Sequence, residues 1–261
     1  MNATNKTLYI PLYGKSFVSR KGILLHDPKA EEIWSREAFP LHGKPKSKWL
    51  AYYMGMRAAV TDRWTQEKLT ARPDAVVLHL GCGLDARCRR VKAHGNLWYD
   101  VDMPDVIAVR KQYYDETEDY RMIGADVTEL SWLEGIPAGG HGIIVMEGLS
   151  MYLPMERLTA LFDALGKHFS TCEIVMDVYT EFAVRASRYR NPIKSVGAGV
   201  CTGVDVPQRL ENEEIQYRES LSMTPQWLTN QLSGMERWFF CLMFAGKATE
   251  AIYRMYTFEK I

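Results

Sequence analysis

The sequence predicts an α/β domain on a mostly parallel, doubly wound sheet, and three observations carry that prediction. Short apolar runs alternate with helical stretches from Ala75 onward, the rhythm of βαβ units. The first run ends in Gly81-Cys82-Gly83 just before a helix start, as at the ligand crevice of such sheets. A chain of 261 residues, 47% hydrophobic and 25% charged, suits one large core and excludes a disordered, collagen-like or disulfide-stapled protein.

Residues 1–72 read as a helical cap. Asp27-Pro28 opens a short helix over 29–39, and 47–69 forms a long one, ended by Arg72-Pro73. Leu50, Tyr53, Met54, Ala58, Trp64 and Leu69 fall there at roughly helical spacing. A cofactor-binding core spans 73–180, with strands expected at 76–80, 97–101, 121–125, 142–146 and 174–179. Pro104 and Pro154 take first-turn helix positions, where a missing N–H is harmless. Leu158, Leu161, Phe162 and Leu165 mark an amphipathic helix with Gly166 as its C-terminal cap. Residues 181–222, with a glycine-containing stretch at 195–203 and an acidic run at 211–214, are expected to be an inserted substrate lid. Residues 223–261 return to the core, where 237–244 and 251–258 read as a terminal antiparallel strand pair.

Thirty-two Lys and Arg balance 32 Asp and Glu, so no global field gathers nucleic acid or anionic lipid. The longest apolar stretch, 238–246, is under half a membrane span, and Met1 to Lys6 is polar. Cys82, Cys88, Cys172, Cys201 and Cys241 form no CxxC pair. An odd set of this kind fits reduced thiols and a cytoplasmic location. No motif for metal ligation surrounds the histidines, and His79, inside a strand, reads as a buried structural residue.

Chemistry concentrates at the strand tips. Gly81 and Gly83 permit positive φ and let a ligand lie on the backbone. Asp102, ending Tyr99-Asp100-Val101-Asp102, is placed to accept both hydroxyls of a ribose, although it also reads as a helix cap. Asp126 follows the third strand, where an ordinary turn residue is the competing reading, and Glu147 follows the fourth. With Asp85, four carboxylates thus gather where a doubly wound sheet opens. Gly81-x-Gly83-x-x-Ala86 also fits the degenerate dinucleotide fingerprint, with Asp102 at the expected offset. An NAD(P)-dependent oxidoreductase and a non-catalytic nucleotide-binding module are therefore the alternatives. Asp85 at the helix start would repel a pyrophosphate. A phosphate-free cofactor with a positive centre, S-adenosylmethionine, fits better.

Leu80-Gly81-Cys82-Gly83-Leu84-Asp85-Ala86 with Arg90, Val101-Asp102-Met103-Pro104, and Met146-Glu147-Gly148-Leu149-Ser150-Met151-Tyr152-Leu153-Pro154 together resemble the leucine carboxyl methyltransferases and tetracenomycin-type polyketide O-methyltransferases. Leu25-His26-Asp27-Pro28-Lys29-Ala30 and Arg57 strengthen the likeness, which covers roughly residues 20–180. The resemblance implies a Rossmann-like class I methyltransferase fold with a mostly parallel seven-stranded sheet and an insertion after strand 5. It implies that Arg57 holds the cofactor carboxylate, Gly81 lies against the methionine moiety and Asp102 takes the ribose. Asp126 and Val127 would flank the adenine, and Glu147 would approach the cationic end. Asp85 and Arg90 are expected to brace the loop. Ala86 stands where many relatives have Thr, and Asp100 where many have Glu.

The expected reaction is O-methylation of a carboxylate or hydroxyl, on a polyketide-like small molecule or a protein C-terminus. Neither nucleic acid nor membrane is an expected partner. Tyr152 is the first candidate for a catalytic role at the acceptor. Arg185, Arg188, Tyr189, Arg190 and Lys194 in the insertion could meet an acidic acceptor, whereas Arg87, Arg89, Arg90 and Lys92 read as a solvated helix face.

Overall fold

The computed structural model describes residues 5–92, 95–187 and 200–261. Its centre is a seven-stranded sheet in the order β3-β2-β1-β4-β5-β7-β6. The strands are β1 (Val76–Leu80), β2 (Trp98–Asp102), β3 (Tyr120–Gly124), β4 (His141–Met146), β5 (Thr171–Tyr179), β6 (Gln216–Leu221) and β7 (Tyr253–Lys260). The first five are parallel, and β7 runs antiparallel between β5 and β6. The order reverses at β1, with β2 on one side and β4 on the other, so the crevice opens beyond the C-terminal ends of these strands.

Helices are α1 (Tyr9–Arg20), α2 (Pro28–Glu37), α3 (Lys48–Ala71), α4 (Arg87–Arg90), α5 (Pro104–Arg110), α6 (Met155–His168), α7 (Glu181–Ser187), α8 (Gln226–Thr229), α9 (Gly234–Phe244) and α10 (Lys247–Glu250). They cover both faces of the sheet, because alternate strand residues point opposite ways. Val77, Ile143, Val145 and Val175 pack with side chains of α1, α2 and α3. Val76, Leu78, Ile144, Met146 and Ile174 pack with Leu158, Leu161, Phe162 and Leu165 of α6.

Local chemistry sets the caps. The Asp27 side chain accepts the Ala30 N–H at the start of α2, and Ser47 accepts the Trp49 N–H at the start of α3. Helix α1 crosses α3 closely: a Cβ on Gly14 would lie 2.7 Å from Met54 Cβ, and one on Gly55 2.7 Å from Val18 Cγ2.

Four expectations need correction. Gly166 is not the cap of α6, which continues to His168. Its missing side chain instead admits Glu214, whose Cβ would stand 3.0 Å from an added Cβ. Pro154 sits one residue before α6, at its N-cap. The stretch 181–222 is not all insertion, since β6 within it is the edge strand of the sheet, paired with β7. Residues 237–244 form the body of α9 rather than a strand, because Phe240 and Phe244, four apart, face the same helical packing. Arg188, Tyr189, Arg190 and Lys194 lie outside the described residues.

Candidate active site

A cavity of about 380 Å³ opens beyond β1, β2 and β4, roofed by the start of α1 and by α3. It is lined by Gly81, Gly83, Asp102, Asp126, Val127, Glu147, Arg57 and Tyr152, so every residue expected at the site borders one space. Gly81 has φ +68° and Gly83 φ +53°, conformations that glycine adopts at little cost. A Cβ on Gly81 would meet Leu149 at 3.1 Å.

The loop is tied to the second strand. Gly83 N–H donates to Asp102 Oδ2 at 2.7 Å, and Met103 N–H donates to Oδ1 at 2.7 Å. Neither is a helix-capping bond for α5, whose N-cap is Met103. Burial pushes the Asp102 carboxyl up, against these two donors. Asp126 Oδ1 accepts from Thr128 N–H at 2.9 Å and from Thr128 Oγ1 at 2.8 Å, so the turn reading also describes it while it borders the cavity. Val127 is buried, and its carbonyl takes the Trp132 indole N–H.

The floor is an ion network. Arg57 donates from Nη2 to Glu147 Oε1 at 2.9 Å and from Nη1 to Asp177 Oδ2 at 2.9 Å and the Tyr253 hydroxyl at 2.5 Å. Glu147 also meets Lys15 Nζ at 3.2 Å and the Arg87 guanidinium. Burial alone would raise the Glu147 carboxyl, yet Lys15, Arg57 and Arg87 outweigh it and hold the group far below the usual range. Asp85 pairs with Lys15, and its Oδ1 lies 2.8 Å from Arg90 Nη1. Arg90 reaches on to Asp62 and Asp27.

Asp85 and Arg90 thus tie the loop to α1, α3 and the start of α2, with the charge of Asp85 balanced by cations, although Asp85 also borders the cavity. The solvated-face reading of the basic run fails for Arg87 and Arg90, which turn inward to these carboxylates; Arg89 and Lys92 are exposed. His79 is buried as expected, with Arg87 Nη1 2.9 Å from its Nε2.

Lys15, Asp177 and Tyr253 escaped the sequence reading. Two of them carried a signal: Lys15 interrupts an apolar helix, and Asp177 interrupts the apolar strand Ile174-Val175-Met176-Asp177-Val178. Arg57 keeps donors to spare, because Nε is buried without a hydrogen bond and Nη2 carries a second N–H.

The donor set fits S-adenosylmethionine: glycine backbone for close approach, an Asp102 with lone pairs open for ribose hydroxyls, spare guanidinium donors, and carboxylates around a cation. The profile of the leucine carboxyl methyltransferases matches residues 2–166. The chain belongs to that family. Over 242 residues it is 30% identical to the tetracenomycin polyketide synthesis O-methyltransferase TcmP of Streptomyces glaucescens, covering 91% of this chain and 90% of the relative. It is 29% identical to the S-adenosyl-L-methionine-dependent methyltransferase dpfgK of Gibberella zeae, over 70% of each chain. Magnesium protoporphyrin IX methyltransferase from Synechocystis, solved with bound S-adenosylmethionine, has the same fold at a TM-score of 0.51 and 11% identity, over 91% of this chain and 99% of that one.

This member of the leucine carboxyl methyltransferase family is an S-adenosylmethionine-dependent methyltransferase on a class I fold. Family membership sets aside the oxidoreductase and the inert binding module. Among the described residues no helix is long and apolar enough to cross a membrane, no cluster has the make-up of a metal site, and all five cysteines are free.

Proposed function

We propose that the enzyme O-methylates a small, largely apolar molecule through an oxygen already ionised on arrival, a carboxylate or an acidic phenol. One observation carries this: apart from the loop, the strand tips and the ion network, the described residues bordering the cavity are apolar or hydroxyl-bearing, and none of them is a base. Leu8, Pro11, Leu50, Met54 and Met151 line it together with Tyr152 and Tyr179. Burial pushes both phenols up, so each stays protonated near neutral pH and donates a hydrogen bond rather than taking a proton. The cavity carboxylates belong to the loop, the strand tips and the ion network.

When bound, the cofactor supplies an electrophilic methyl group on a sulfonium. An anionic oxygen meeting that cation loses charge as the bond forms, so a dry cavity favours the approach without a protein base. Tyr152, whose hydroxyl interacts with Thr7, is assigned to orienting the acceptor oxygen. Arg57 and Lys15 are assigned to the cofactor carboxylate and Glu147 to its ammonium. Gly81 and Gly83 lie under the methionine moiety, Asp102 takes the ribose, and Asp126 with Val127 edges the adenine. Each assignment matches a residue bordering the cavity. Of the insertion arginines and lysine, Arg185 is exposed beside Glu181 at 3.8 Å, which supports a solvated role for it.

The test is a screen with methyl-labelled cofactor against aromatic carboxylic acids, acidic phenols, alcohols and leucine-ending peptides. Label should enter the first two classes, with rates that stop rising once pH passes the acceptor's own pKa. Transfer confined to the peptides, or to neutral alcohols, would overturn the reading.

A further inference from the structure

Helix α9 is apolar around most of its girth, and only part of it is covered. Phe240 packs inward against Tyr52, and Phe244 stacks on Trp49. Phe239 rests on Trp49 as well, with ring centroids 4.6 Å apart; away from these contacts, Met235, Trp238, Leu242 and Met243 recur at i, i+3, i+7 and i+8. That spacing is the stripe of a helix face meant for burial. Yet Met235 is 84% exposed, Trp238 67%, Leu242 60% and Met243 54%.

With large side chains presenting roughly 150–250 Å² each when free, these four groups leave on the order of 500 Å² of apolar surface open to water. That is toward the upper end of the largest patch of an ordinary monomer, and more than half of the roughly 800 Å² that one partner contributes to a standard interface.

We propose that this face is covered by a second copy of the chain, making a two-fold dimer through α9. A two-fold interface is self-complementary and needs a protrusion and a recess on one patch. Met235 and Trp238 supply the protrusion. The recess is a groove of about 670 Å³ between α8 and α9, bordered by Thr229, Asn230, Arg237, Trp238, Cys241 and Leu242. Two α9 helices crossing on their Trp238-Leu242 stripe would each seat an apolar side chain in the other's groove. Glu236 is held at the edge by Lys21 and Lys48, at 2.9 and 3.0 Å, and Arg237 bonds Asn230. The patch lies outside the residues bordering the methyl-transfer cavity, so the dimer leaves that site intact.

Light scattering behind a sizing column, over concentrations from about 1 to 100 µM, reads the result. Wild type should show twice the chain mass in the upper range. Leu242→Glu and Trp238→Glu, both at exposed positions, should show the single-chain mass with unchanged circular dichroism and unchanged cofactor affinity. A wild type that stays at single-chain mass at the top concentration would overturn the proposal, as would a Leu242→Glu protein that remains a dimer. Flotation of single-chain protein with phosphatidylglycerol vesicles, lost in Trp238→Glu, would also overturn it and assign the face to a lipid surface.

Discussion

Replacing Glu147 with Gln removes one carboxylate from beneath three cations. Lys15 at 3.2 Å, Arg57 at 2.9 Å and Arg87 all converge on that side chain, which is 3% exposed. Gln keeps the shape and one acceptor oxygen but leaves buried positive charge uncompensated. Breaking a buried pair from one side destabilises a fold by about 3–5 kcal/mol. Asp85 and Asp177 remain to share Lys15 and Arg57, which places the expectation at the lower end, about 3 kcal/mol.

For a chain of this size that lowers the melting temperature by about 6–12 °C in calorimetry. The same change removes the carboxylate assigned to the cofactor ammonium. S-adenosylmethionine should therefore bind about 10–100-fold more weakly, a loss of about 1.4–2.7 kcal/mol for a charge-assisted hydrogen bond. Adding cofactor at a concentration that raises the wild-type melting temperature should then hardly move that of the variant. A variant that melts with the wild type and gains as much from cofactor would show that the network and the ammonium site are misplaced.

Tyr152→Phe should lower kcat/KM about 5–10-fold with unchanged cofactor affinity, the worth of one neutral hydrogen bond; equal turnover would remove Tyr152 from the acceptor site. Gly81→Val forces a β-branched residue to φ +68°, with its Cβ 3.1 Å from Leu149, and should abolish cofactor binding in equilibrium dialysis while the far-ultraviolet spectrum persists. Stability should fall with pH in two stages. Burial holds the His79 imidazole below its usual 6.5, so below about pH 6.5 the unfolded chain takes up a proton that the folded chain refuses. Asp100 is pushed up by burial but brought down to about 2 by Arg110, His79 and Tyr120, so its contribution is present above about pH 4 and lost between there and 2. Melting temperatures from pH 8 to 2 should show both limbs, and His79→Gln should erase the first and shrink the second, because His79 helps to hold Asp100 down.

The five parallel strands were legible in sequence because each is bounded locally: β1 runs straight into the glycine loop, and β2 into Met103-Pro104; β6 was hidden in the expected lid, because only its pairing with β7 places it in the sheet. What escaped depends on contacts distant along the chain. Helix α1 carries Pro11 and Gly14, which argue against a helix, and only its close crossing over Met54 of α3 explains the glycine. Residues 237–244 are rich in strand-favouring aromatics, and the Phe240 and Phe244 contacts with α3 decide for a helix.

At the site, motif residues that touch the backbone loop were readable, Asp102 above all. Lys15 and Asp177 stood out only as charges inside apolar segments, and their purpose appears only when α1 and β5 meet Arg57 and Glu147. The inward turn of Arg87 and Arg90 was hidden for the same reason: their partners Asp62, Asp27 and Glu147 come from three other segments.

Calorimetric titration of S-adenosylmethionine into the wild type and into Asp102→Ala addresses the centre of the account, a cofactor lying over Gly81 and Gly83 with its ribose on Asp102. One cofactor should bind per wild-type chain, and the variant should lose about 1–3 kcal/mol, or 5–150-fold in affinity. Equal affinity in the two proteins, or no binding to the wild type, would contradict it.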